Sequence, residues 1–599
     1  MKHFFGAMFG ALAGSVLAGI IFGLLVIGGI AALFSGGGDS KSDKVKEKTV
    51  LHLEMKHVIS DRPSENPFDN IDFMSGESNK TMALSDLLMA LQAASEDDKV
   101  AGVFLDLSDL SVSMSSLEDI RAALNSFKEK EKFVYAYSES YSQASYYLAS
   151  SANKIYLHPM GDFLLKGLGA EMMFFKGVLD KIGVEPIAIR PEGNKFKSAV
   201  EPFLLSKASS ENRAQMQQIL NDYWRNMLQV YANRTGLTVG KIQTLADNLH
   251  VTQAFEAFDF GFVDSLLYRD EVMERMADAA GWEDAESDDN PLMTLPQYLK
   301  GVQSKENIRN KKEKSHIAVL FAEGEIVRGK GGDGTVASDD FAAVLEEIRK
   351  DDKIKALVLR VNSPGGDALA SEIIWRGIMR VKEKKPVVVS MGSLAASGGY
   401  YIACAADSIF ASPYTLTGSI GVFGIMFNAQ RLLNEKLGVT IDTVLTARSA
   451  DFPTGSRPMS EIESAALQRS VNKVYEDFTG RVAAGRNLPI ERVADSIGQG
   501  RVWTGNQAIE LGLVDAIGSL KDAIACAAGL AGLENHGISY YPSPSNPFET
   551  FLLSLSEDAK LKLAGMNLQE LYLAFQQMKY LNKSHGVRAE LPYGFKLIY

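Results

Sequence analysis

The chain has 599 residues, 46% of them hydrophobic and 23% charged, enough apolar material for two or more globular cores, which excludes a disordered protein. Its formal net charge of -12 excludes nucleic acid as the main partner, because phosphate binding needs a basic surface. Cys404 and Cys526 are the only cysteines, which excludes a disulfide framework and a cysteine metal cluster; no metal or cofactor is expected.

Residues 4–34 carry no charge, and this run exceeds the roughly 20 residues that cross a hydrocarbon core as a helix. A membrane anchor over residues 1–35 is therefore expected. A cleaved signal peptide is the alternative, but the run is longer than an h-region and no small-x-small site closes it. Residues 36–48 read as a Gly/Ser/Lys linker, and Lys41, Lys44, Lys46 and Lys48 outnumber Lys2 on the other side. Taken alone, the positive-inside rule leaves the bulk of the chain in the cytoplasm.

The remainder is an internal duplication. Residues 99–108 (KVAGVFLDLS) match 353–362 (KIKALVLRVN), residues 133–137 (FVYAY) match 387–391, and 146–157 match 400–411, all at one spacing. Residues 260–264 (FGFVD) pair with 511–515 (LGLVD) at nearly the same spacing. Each half alternates strands and helices, the pattern of an α/β unit with a mostly parallel sheet. The expected boundaries are 49–283 for the first half, 284–314 for a partly helical connector, 315–535 for the second half and 536–599 for a tail. Within the tail, 547–580 reads as a helix and the last residues as a final strand.

The halves have kept different chemistry. In the second, residues 386–391 read as a buried strand and 400 onward as an apolar helix, with Ser397 at the turn between them, followed by Gly398 and Gly399. That is where a nucleophile's hydroxyl meets helix-end N–H groups, although an N-cap serine would look the same. The first half has Gln143 at that register. In exchange, residues 190–203 (RPEGNKFKSAVEPF) present Lys195 and Lys197, where the second half offers no lysine.

A serine needs a base, and no histidine lies between 317 and 535; His316 opens the second half, and His158 in the first reads as a loop contact. A lysine serves if burial removes its proton. Reciprocal loss singles out Lys197 from the solvated lysines. Ser363-Pro364-Gly365-Gly366 directly follows the strand ALVLRVN, where the two glycines' N–H groups are placed to face a cleft and hold an oxyanion, a role Gly398 also fits. In the loop LTGSIGV, Ser419 is placed to orient the lysine amine, and Gly418 and Gly421 to present backbone to an extended peptide.

Together, SLAASGGYYIA, VNSPGGDA, TGSIGVFG and KFKSAVEPF, on a duplicated scaffold behind one anchor, resemble the long bacterial form of the signal peptide peptidase A (protease IV) family. The resemblance covers the chain from the anchor to about residue 532 and places it in the Clp protease/crotonase superfamily. It implies two tandem α/β domains of β-β-α spiral type behind a transmembrane helix. It also implies a Ser/Lys dyad with Ser397 as nucleophile, Lys197 as general base, Gly365 as oxyanion donor and Ser419 as the lysine's partner. It further implies a homotetramer anchored in the cytoplasmic membrane, with the soluble part on the outer side and released signal peptides as substrates. That topology opposes the charge count and is preferred to it. The rivals are a crotonase-like acyl-CoA hydratase or thioesterase, and a non-catalytic membrane scaffold.

Overall fold

The computed structural model describes residues 45–55, 59–62, 82–107, 110, 112–285, 287, 289–332 and 334–542, and the backbone of 588–590 and 595–598. The expected anchor and the expected tail helix 547–580 lie outside these residues. Among the described residues no helix is long and apolar enough to cross a membrane.

In the first half the strands that form the main sheet or lead to the site are β1 (Thr49–Glu54), β2 (Val100–Asp106), β3 (Phe133–Tyr141), β4 (Lys154–Phe163), β5 (Glu185–Ile189), β6 (Ser265–Leu266) and β7 (Leu292–Thr294); the long helix α1 (Ser210–Thr235) lies between β5 and β6. Six of the strands form one parallel sheet in the order β7-β1-β2-β3-β4-β6. In the second half the strands that form the main sheet or carry the site are β8 (His316–Glu323), β9 (Ile354–Ser363), β10 (Gly365–Asp367), β11 (Val387–Ala396), β12 (Ser408–Ala411), β13 (Leu416–Gly418), β14 (Gly424–Asn428), β15 (Val502–Thr504), β16 (Ala516–Ile517) and β17 (Gly537–Tyr541); α2 (Gly398–Ala403) and α3 (Glu461–Arg486) are the helices that matter here. The path β17-β8-β9-β11-β12-β16 repeats the first sheet strand for strand.

Continuous apolar runs become parallel strands because both sheet faces are covered. On β9, Leu357, Leu359 and Val361 enter one core, while Ala356 and Val358 enter another on the opposite face. Helix α3 starts at a capping box in which Ser460 and Glu463 each satisfy an orphan N–H, and it ends where Asn487 turns left-handed at φ 52°.

Three sequence boundaries move. Strand β7 falls inside the expected connector and β17 inside the expected tail, because each closes its sheet by pairing with that half's first strand, Val50 with Leu292 and His316 with Gly537. Runs as short as LMT carry too little periodicity to announce a strand. The nucleophile's strand, expected to end at 391, continues to Ala396 because it changes partner, leaving β12 and pairing Leu394 with Leu416 and Ala396 with Gly418 on β13.

The halves are one packed body. Ala396, Tyr414, Leu416 and Val502 of the second half lie in the core of the first. β5 pairs antiparallel with β14 across the boundary, from Glu185 against Asn428 to Ile189 against Gly424. Thr504 donates to Asp222 of α1, and Gln215 of α1 accepts the Val502 N–H at 2.8 Å.

Candidate active site

Ser397 occupies the single residue between β11 and α2, at φ 58° and ψ -118°. A non-glycine residue in that region costs about 1–3 kcal/mol, and such strain concentrates at functional turns. It is held by its own N–H, donated to Gly418 O at 2.8 Å, and by its carbonyl, which accepts the Tyr401 N–H at 2.8 Å. The side chain is fully buried. Gly398 is required by close packing: a Cβ there would lie 2.6 Å from Ser371 Oγ and 3.1 Å from Gly365 Cα.

The lysine comes from the other half. Because β5 ends beside Gly424, residues 190–197 leave it already alongside the loop that follows β13. Asn194 Nδ2 donates to Val422 O at 2.9 Å, and the Phe196 N–H donates to Gln499 O at 3.0 Å. Lys197 is fully buried, whereas Lys195, two residues earlier, is exposed. The Lys197 Nζ lies 2.7 Å from Ser397 Oγ, 3.0 Å from Ser419 Oγ and 3.1 Å from Ser419 O. Ser419 Oγ is 3.4 Å from Gly500 O, to which it donates, so its lone pairs face the amine.

Gly365 and Gly366 lie against Gly398, beside the serine. Both have positive φ, 95° and 157°, and a Cβ on Gly366 would fall 2.0 Å from Ile326 O. The Gly365 N–H donates to Ser363 Oγ at 3.1 Å. The outer edge of β10 pairs antiparallel with the backbone of 588–590.

Gly418 and Gly421 do not form the expected peptide edge. Strand β13 is paired on both sides, with β11 and with β15, and a Cβ on Gly421 would strike Gly500 Cα at 2.6 Å. Gly421 serves the close packing of the lysine arm on the second half, where a Cβ would also meet Asn194 Oδ1 at 2.7 Å, and Gly418 leaves room for the Trp503 ring. The histidines stand elsewhere: His316 contacts Ser539 and Glu313 O, and His158 lies edge-on to Tyr268.

In the first half the position matching Ser397 closes on itself. Gln143 is buried, accepts the N–H groups of Lys166 and Gly167, and donates to Gly167 O. Sequence reasoning missed Asn194, the turn at 499–501 and a buried charge cluster at the boundary of the halves. In that cluster Arg360 of β9 donates to Asp61 at 2.8 Å and to Ser390 at 2.9 Å, with Asp119 at 3.8 Å. Burial pushes the Asp119 carboxyl up against the pull of Arg360, and burial with the Asp61 charge pushes Glu323 up to about 7. Neither aspartate sits in a recognisable motif. Among the described residues, His52, Glu54 and Asp106 are the group with metal-ligand spacing, but Arg269 already donates to Asp106 at 2.7 Å.

A family model described as Peptidase family S49 matches residues 126–283 and 379–534, one stretch in each half, and one described as Clp protease matches 308–415. The chain is 33% identical over 558 residues to a protein of Salmonella typhi named Protease 4, covering 91% of this chain and 88% of that one. It is 32% identical over 495 residues to Serine protease SPPA, chloroplastic, of Arabidopsis thaliana, covering 82% and 70%. Over 186 residues, 31% of this chain and 54% of the other, it is 40% identical to a Putative signal peptide peptidase SppA of Enterococcus faecium.

Proposed function

Because the chain belongs to peptidase family S49, a serine protease with a Clp protease-like α/β fold carrying two S49 repeats, we propose that it is a membrane-anchored endopeptidase working through a Ser397–Lys197 dyad. The observation that carries the reading is the 2.7 Å contact between Lys197 Nζ and Ser397 Oγ in a fully buried setting.

Burial disfavours the charged form of an amine. With two N–H bonds directed at Ser419, the lone pair of a neutral amine points to the Ser397 hydroxyl. Lys197 takes that proton as Oγ attacks the scissile carbonyl, then returns it to the leaving amine, and water resolves the acyl-enzyme. Gly366 and Gly398, beside the serine, stabilise the oxyanion through backbone N–H groups, and Gly365 joins them when its N–H exchanges Ser363 Oγ for the oxyanion. The edge of β10 already takes an antiparallel strand, which supports an extended peptide substrate seated where 588–590 lies.

The substrates in this reading are released signal peptides and similar apolar chains. They suit an enzyme held at the cytoplasmic membrane by residues 4–34, facing outward, each half a Clp/crotonase-type spiral. A homotetramer completes it. The duplication matches 181–184 (KIGV) with 436–439 (KLGV), which makes 440–444 the counterpart of β5. That segment makes no strand pairing among the described residues, and Ile441 and Val444 on it are exposed, a surface for a second copy. A hydratase or a scaffold has no use for an amine against a serine hydroxyl. The test is mass spectrometry of the full-length protein after a fluorophosphonate probe: modification of Ser397 supports the reading, and modification elsewhere or none overturns it.

A further inference from the structure

Residues 499–501 carry no recognisable motif, yet they touch both the lysine and its orienting partner. Gln499 and Gly500 have successive positive φ values, 57° and 78°. Gln499 O accepts the Phe196 N–H. Gly500 is buried under the lysine: a Cβ there would lie 2.5 Å from Lys197 Cβ and 2.7 Å from its N and Cα. The Ser419 N–H donates to Arg501 O at 2.7 Å and the Ser419 hydroxyl to Gly500 O. The turn is itself pinned, because the Gly500 N–H donates to Ile420 O at 2.8 Å and the Gln499 N–H to the Tyr475 hydroxyl at 3.1 Å.

Arg501 extends the same connection into the first half. Its guanidinium lies 4.8 Å from the Phe196 ring and 4.2 Å from the Trp503 ring, and it donates to Gln218 of α1. Phe196 is the residue before the lysine, and Trp503 stands on β15, paired with Thr417 of β13. One side chain thus ties the lysine arm to the strand that leads to Ser419.

We infer that Gly500 and Arg501 are positioning residues for the reaction, setting the reach of the Lys197 amine and, through Ser419, the direction of its lone pair. The inference rests on the dyad reading above. Gly500, lacking a Cβ, lets the Lys197 backbone sit directly on it, and its carbonyl aims the Ser419 proton away from the amine. A side chain there displaces both partners together.

The test is a double-mutant cycle in the full-length protein: Gly500→Ala and Arg501→Ala, each alone and with Lys197→Ala. Turnover of a chromogenic peptide and the rate of Ser397 labelling by a small fluorophosphonate are the readouts, with thermal melts as the fold control. Gly500→Ala lowers kcat about 100-fold with KM nearly unchanged, the size of effect a displacement of about 1 Å produces. Arg501→Ala lowers kcat about tenfold, the loss of a desolvated guanidinium–ring contact. With Lys197 already removed, neither lowers the residual labelling rate more than about twofold, because each acts through the lysine. Unchanged kcat in either variant, or an equal loss with and without the lysine, overturns the inference. If Gly500→Ala fails to melt as the parent does, Arg501→Ala decides by the same outcomes. Full activity in Lys197→Ala alone would instead strike at the dyad itself, and that single variant tells the two failures apart.

Discussion

Lys197 and Ser397 are 200 residues apart in the chain and 2.7 Å apart in space, each contributed by a different copy of one duplicated unit. Under the proposed dyad, removing either side chain removes a reaction partner and leaves each sheet intact. Ser397→Ala and Lys197→Ala are expected to lower kcat on casein or a synthetic signal peptide by at least about a thousandfold, since activated-nucleophile and base contributions act as a unit. Lys197→Arg is expected to be as inactive, because a guanidinium does not give up its proton. Retained turnover in any of the three counts against the dyad.

An amine serves as a base only when unprotonated. Activity is expected to rise from about pH 6 to about pH 9 and then level off. A kcat/KM profile that falls over that range in protein still folded by circular dichroism contradicts lysine as the base.

Gly366→Ala brings a Cβ to 2.0 Å from Ile326 O at a φ of 157°, so β10 must move away from the serine. The expected loss in kcat is about 100-fold or more, the size seen when an oxyanion donor is removed. The melting temperature is expected to change less than in a core substitution. Normal kcat would show that β10 plays no part in holding the oxyanion.

The Arg360 cluster joins the halves and makes a stability prediction. Arg360→Met leaves Asp61 buried without its partner and is expected to destabilise by about 3–5 kcal/mol in denaturant melts. For Asp119 and Glu323 the folded value is raised above the unfolded one, so the stability they contribute is full below about pH 4 and is lost as pH rises through about 7. Asp119→Asn is expected to flatten the decline in melting temperature over that window. An unchanged slope would show that Asp119 titrates normally in the folded protein.

Ile441→Asp with Val444→Asp places charge on the exposed segment that matches β5. Light scattering is expected to show smaller particles, while fluorophosphonate labelling of Ser397 persists in the dissociated subunit. An unchanged particle mass would place the subunit contact elsewhere.

The duplication, the α/β class and the short list of chemical residues were legible in the sequence, because hydrophobic periodicity and repeated spacing are local properties that survive without coordinates. The reciprocal loss narrowed the base to the stretch that holds Lys195 and Lys197, and nothing local distinguishes the two; burial of Lys197 and exposure of Lys195 does. What the tertiary structure decided was every relationship between the copies. The β5–β14 pairing carries the lysine arm across, β13 turns out to have no free edge for a peptide, and the turn at Gly500 proves to be the seat of the lysine. These depend on which backbone atoms approach closely after hundreds of residues have folded, a distance that no pattern along the chain encodes.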